Sequence, residues 1–154
     1  MAILFGIDGT GPSSDSKYAT DFKYSFVNQM CGTTNYRRGP SALGGGLEDA
    51  MTAGVDHIVK ALSCVIDKRV LLTGYSRGGL GAVVIAKRLQ KRNIAVDAMV
   101  LFDCVDRYLH ADGESIPNNV AEVLHIRRDP AARSRMSFGN DGTSHTAPTK
   151  YTEK

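Results

Sequence analysis

Apolar positions along the chain follow two different periods. Ile3–Ile7 is a continuous apolar run that stops at Asp8, the pattern of a strand buried on both faces. Leu47, Met51, Val55, Ile58, Val59, Leu62 and Ile66 recur at steps of mostly three and four, which predicts a helix over Leu47–Ile66 with one core-facing stripe. Arg69–Thr73, Val96–Phe102 and Val120–Ile126 read as further strands, and Arg77 to about Lys91 as a helix between the first two. Residues 13–46 are polar and Gly-rich, with one short helix expected near Tyr18–Met30, where Phe22, Phe26 and Met30 fall four apart. Beyond Arg127, and clearly from about residue 128, the chain becomes a polar tail in which no strand is predicted. Strand and helix patterns alternate, so the expected fold is α/β, a small three-layer sandwich on a mainly parallel central sheet. Neither a repeat nor a linker divides the 154 residues, and one domain is expected.

Composition narrows the function classes. At 42% hydrophobic the chain can build a core, yet no apolar run reaches the ~20 residues of a transmembrane helix. The start of the chain lacks the basic lead of a signal peptide, so a cytoplasmic location is the default expectation, with export by a route that needs no signal peptide left open. Cys31, Cys64 and Cys104 are odd in number and lack metal-ligand spacing, so neither a disulfide framework nor a zinc site is expected. The net charge is +3, and the basic pairs Lys87-Arg88, Lys91-Arg92 and Arg127-Arg128 have no interleaved aromatics; no nucleic-acid partner is expected.

The strongest chemical signal is Gly74-Tyr75-Ser76-Arg77-Gly78-Gly79, set between the apolar Val70-Leu71-Leu72 and a helical pattern. This is G-x-S-x-G in strand–turn–helix context. A serine on so sharp a turn takes a strained backbone conformation, and the residues two before and two after it must lack side chains. Gly74 and Gly78 meet that need, while Gly79 and Gly81 let the helix start close to the sheet. The helix N-terminus would aim backbone N–H groups at a developing oxyanion, with Arg77 N–H the expected donor. A phosphate-binding loop is excluded because Leu80-Gly81 stands where Lys-Ser/Thr is required. The glycines Gly6, Gly9 and Gly11 do not match the dinucleotide fingerprint either.

Asp8-Gly9-Thr10-Gly11 closes the first strand, where Gly9 or Thr10 would supply a second oxyanion N–H. A phosphatase loop would need an aspartate at position 6, which is Gly6. The plain alternative is a strand-end turn capped by Asp8. For the acid that orients an imidazole, Asp103 ends the strand after the elbow helix, and Asp106 competes with it. Of the histidines, His57 falls in the long helix and is read as a surface residue, His110 in a loop, and His125 within a strand as a structural residue. His145 alone lies beyond the last predicted strand, in Ser–Asp–His order.

Together these segments resemble the DUF2235 family of α/β hydrolases, which includes phospholipase effectors of bacterial type VI secretion. Asp8-Gly9-Thr10 is similar to the family's D-G-T; Tyr36 to Pro40 with Gly44-Gly45-Gly46 to its Y-x-x-G-x-G-T; Gly74 to Gly78 to its G-F-S-R-G; and Phe102-Asp103-Cys104-Val105 to its W-D-T-V. The last match favours Asp103 over Asp106. The family's H-x-D-V-G-G-like histidine segment has no counterpart here, and His145 is not followed by a glycine pair. The resemblance therefore implies either a shortened or divergent member, or use of His145 in another geometry.

The expected activity is hydrolysis of a carboxylic ester by Ser76, His145 and Asp103, with Arg77 and Gly9 or Thr10 at the oxyanion and neither metal nor organic cofactor required. A lipid or phospholipid substrate is implied by the resemblance alone. Amidase or peptidase chemistry would use the same triad. The alternative from another class is a hydrolase-like binding or assembly module, in which a partner chain or second copy covers an incomplete sheet.

Overall fold

The computed structural model describes residues 1–105, 115–127, 144–145 and 149–154, the pair 144–145 by backbone alone. Its centre is a six-stranded, all-parallel sheet. The strands are β1 (Ile3–Ile7), β2 (Tyr36–Arg37), β3 (Val70–Tyr75), β4 (Val96–Phe102), β6 (Val120–Ile126) and β8 (Lys150–Glu153), in the order β2-β1-β3-β4-β6-β8. A separate ladder joins β5 (Ser115–Ile116) to β7 (Ser144–His145). The expected α/β sandwich is the fold observed.

Helices lie on both faces of the sheet, one face being only partly covered. On one face lie α3 (Leu47–Cys64) and α4 (Arg77–Gln90), whose packing is closest where Gly54 meets Ile85 and Phe5: a Cβ at Gly54 would stand 2.6 Å from the Phe5 ring. The other face carries α2 (Phe26–Cys31), since a Cβ on Gly6, one residue along from Phe5, would meet Val27 and Cys31. Helix α1 (Asp15–Asp21) is tied through Tyr18 to Gly9 and Gly39, which follow β1 and β2. The core is formed by Phe5, Ile7, Leu72, Met99 and Leu101 of the sheet against Met51, Ile58, Leu80, Ile85 and Leu89 of the helices.

Besides the β5–β7 ladder, which the pattern did not predict, four elements differ from the pattern reading. The helix expected over Tyr18–Met30 is two helices, because Ser25 adopts extended φ/ψ (−62°, 152°) and its side chain caps α2 at Asn28 N. Helix α3 ends at Cys64, since Val65 is already extended, and Ile66 is fully exposed rather than the last residue of the stripe. The short β2 edge strand was not visible in the pattern. The polar tail contains β8, which pairs with β6 from Glu122↔Lys150 to His125↔Glu153. As a four-residue edge strand it buries little side chain beyond Tyr151, so no apolar run announces it.

Candidate functional site

All strands of the main sheet run the same way, so their C-terminal ends meet at one edge, where open α/β sheets gather their sites. Ser76 stands alone between β3 and α4, with φ 52° and ψ −123°. For a residue with a Cβ this is a strained conformation worth roughly 1–3 kcal/mol, and the surroundings hold it there. Ser76 N–H donates to the Phe102 carbonyl at 2.9 Å, and the Ser76 carbonyl accepts from Gly79 N–H at 2.9 Å and Val105 N–H at 3.2 Å. The glycines around it are sterically required. A Cβ at Gly74 would strike the Gly78 backbone, one at Gly78 the carbonyl oxygens of Ile7 and Asp8, and one at Gly79 the Cys104 side chain at 2.9 Å.

The loop after β1 lies against this turn: a Cβ on Gly9 would be 2.6 Å from the Tyr75 ring and 3.4 Å from Ser76 Cβ. The two N–H groups proposed from that loop are not equivalent. Gly9 N–H donates to the Asp8 carboxylate at 2.9 Å, whereas Thr10 N–H makes no hydrogen bond among the described residues. Arg77 N–H, at the first position of α4, likewise has no acceptor among the described residues. The Arg77 side chain turns away to the Ala42 and Ser41 carbonyls at 3.1 and 3.4 Å, fastening the 41–46 loop to the elbow.

Asp8 is fully buried. Its carboxylate accepts from Gly9 N–H, from the Tyr36 hydroxyl at 2.9 Å and from the Ser25 hydroxyl, and burial nonetheless holds its pKa above the ordinary value. It is more than the cap of a turn: one side chain joins β1, β2 and the start of α2.

Asp103 follows β4 on the strand next to Ser76. It too has positive φ, 44°, and its N–H donates to the Ile126 carbonyl at 2.7 Å. The fold thus brings Ser76, Arg77, Gly9, Thr10 and Asp103 to neighbouring strand ends. Asp106 and His110 lie outside the described residues. The backbone of His145 pairs with Ile116 in the separate ladder, and β8 follows it in the chain, so His145 precedes the last strand of the sheet; its side chain lies outside the description.

Two other histidines are placed. His57 is half-buried on α3 with its ring 5.7 Å from that of Phe5, and burial, with Arg37 adding to it, lowers its pKa. His125 is fully buried beneath the Asp103 loop. Its Nε2 accepts Cys104 N–H at 3.2 Å and its Nδ1 lies 2.8 Å from the Tyr151 hydroxyl. The sequence reading passed over Tyr151 and Tyr18, whose contacts link residues distant in the chain and leave no local signature.

No helix among the described residues is long and apolar enough to cross a membrane, and none of them form a cluster of three or more metal-ligating side chains. Searched against models of known families and against curated proteins, the chain matches none.

Proposed function

We propose that the chain is a serine hydrolase that cleaves carboxylic esters, with Ser76 as nucleophile. The observation that carries this reading is the Ser76 backbone at φ 52°, ψ −123°, held between Gly74 and Gly78, where no side chain fits. A strained serine at the junction of a parallel strand and a helix, beside N–H groups with no acceptor among the described residues, fits acyl transfer. Ser76 Oγ attacks the acyl carbon, and a histidine takes its proton and returns it to the departing alcohol. Water then hydrolyses the acyl-enzyme by the reverse proton path. Arg77 N–H and the Gly9–Thr10 backbone would receive the oxyanion, and Asp103 would orient the imidazole, with His145 its candidate from chain order. A lipid or phospholipid ester is the substrate class suggested by the DUF2235 resemblance.

Labelling with a fluorophosphonate probe tests this. The wild type should label and turn over p-nitrophenyl esters, and Ser76→Ala should do neither. Turnover unchanged in Ser76→Ala would reject the reading.

A second reading, a binding or assembly module, is favoured by one observation. On the face opposite α3 and α4, Leu71, Val100, Phe102 and Leu124 are only half-buried and Ile126 is exposed; Phe26, itself 66% exposed, stacks on Phe102 at 5.0 Å. A folded, unlabelled wild type that sediments as a dimer or larger would favour this reading over the first.

A further inference from the structure

Resting on the hydrolase reading, the geometry points to Tyr18 as a positioning residue that makes Thr10 N–H, rather than Gly9 N–H, the second oxyanion donor. Tyr18 lies on α1, is 2% exposed, and stacks on Phe22 at 4.2 Å with the Arg38 guanidinium 4.3 Å over its ring. Nothing apolar requires the hydroxyl, yet it lies within hydrogen-bond reach of two backbone groups. It donates to the Gly9 carbonyl at 2.5 Å and accepts Gly39 N–H at 2.7 Å.

The consequence follows from peptide planarity. In the trans peptide joining Gly9 to Thr10, the carbonyl and the N–H point in opposite directions. The Gly9 carbonyl faces the β2 side of the loop, where Tyr18 holds it and where a Cβ on Gly39 would strike it. β1 lies between β2 and β3. The Thr10 N–H is therefore turned to the β3 side, where Ser76 stands. The preceding peptide is committed elsewhere, its Gly9 N–H donating to Asp8. Both N–H groups at the strand end are thus assigned, one to structure and one to the site.

An oxyanion donor is effective because it is fixed before charge develops. Without the Tyr18 hydroxyl the Gly9–Thr10 peptide is free to rotate, and the loss should fall on the transition state and not on substrate binding. Tyr18→Phe keeps the ring, its stacking and its burial. In the full chain we expect kcat for a p-nitrophenyl ester to fall about tenfold to a hundredfold with KM within about twofold. The Thr10 amide resonance of the ¹⁵N-labelled variant should also move, a readout that needs no turnover. A folded Tyr18→Phe with wild-type kcat would overturn the assignment, as would an unmoved Thr10 amide. Failure of the hydrolase reading looks different: the wild type itself would lack Ser76-dependent turnover, and the amide resonance would still decide how the peptide is held.

Discussion

His125 Nδ1 lies 2.8 Å from the Tyr151 hydroxyl, and this contact ties β8 to β6 directly beneath the Asp103–Val105 segment. The tautomer follows from the partner on the other nitrogen. Cys104 N–H can only donate, so Nε2 is the lone-pair nitrogen and Nδ1 carries the proton of the neutral ring. His125 thus holds the loop that in turn donates Val105 N–H to the Ser76 carbonyl, and its Nε2 is engaged rather than open to Ser76. Tyr151→Phe removes the hydroxyl while keeping the ring. It should lower stability by about 1–2 kcal/mol in urea unfolding, since a buried imidazole N–H loses its acceptor. A stability unchanged from wild type would mean that the pair contributes nothing.

The strain at Ser76 can be measured independently of any chemistry. Ser76→Ala keeps a Cβ in the φ 52°, ψ −123° conformation, whereas Ser76→Gly relieves it. The glycine variant should be the more stable of the two by about 1 kcal/mol, although glycine ordinarily costs stability through the unfolded state. The reverse order would show that the turn is not strained.

Gly78→Ala gives the complementary test. Its methyl group would be driven into the Ile7 and Asp8 carbonyl oxygens, which are backbone atoms of a central strand and cannot move aside. A loss of about 3 kcal/mol is expected, seen as a lower urea midpoint with an unchanged slope. A neutral outcome would mean that α4 can shift away from β1.

How far the structure was legible depended on how much of each signal was local. Ile3–Ile7 is a central parallel strand largely buried on both faces, and such a strand is written as a continuous apolar run. Val96–Phe102 carries the same signal broken by the exposed Asp97, although its second face is only half-buried. The elbow was legible because its G-x-S-x-G spacing is local, between an apolar strand run and a helical pattern. Only Gly74 is required by a neighbour in the turn, whereas Gly78 and Gly79 answer to Ile7, Asp8 and Cys104 far along the chain. Strand β8 was not, because Lys150-Tyr151-Thr152-Glu153 is an edge whose inward residue, Tyr151, meets a histidine 26 positions away. The break at Ser25 had a sequence mark, a serine three residues before Asn28, but the spacing of Phe22, Phe26 and Met30 read across it. Tyr18 looks like any core aromatic until its hydroxyl is placed on Gly9. Fold patterning is short-range in sequence, whereas the contacts that orient a site are long-range.

Arg77 offers a test of how the elbow is fastened to its surroundings. Its guanidinium bonds the Ala42 and Ser41 carbonyls, next to a fully exposed Leu43 and the positive-φ glycines Gly44 and Gly46. Arg77→Ala removes those bonds and leaves the N–H at the start of α4 in place. Limited proteolysis should then cut the 41–46 segment several-fold faster, with global stability lowered by no more than about 1 kcal/mol. Cleavage at the wild-type rate would show that the loop is held without the guanidinium.

The buried Asp8 carboxyl sets a pH dependence whose sign can be worked out. Burial raises its folded pKa above the ordinary 3.8, outweighing the hydrogen bonds from Ser25, Gly9 and Tyr36, which lower it. The folded chain therefore holds this proton to higher pH than the unfolded chain does. The group's favourable contribution is full below 3.8 and is lost as pH rises through the folded value. Asp8→Asn is close to isosteric and never ionises. Its side-chain oxygen can still accept Gly9 N–H, and the Ser25 and Tyr36 hydroxyls can rotate to accept from its amide. Stability compared by urea unfolding should change in favour of Asp8→Asn between about pH 3 and about pH 7, with the shift confined to pH above 3.8. The opposite trend, with wild type gaining on the variant as pH rises, would mean that the three donors stabilise the carboxylate by more than burial costs it.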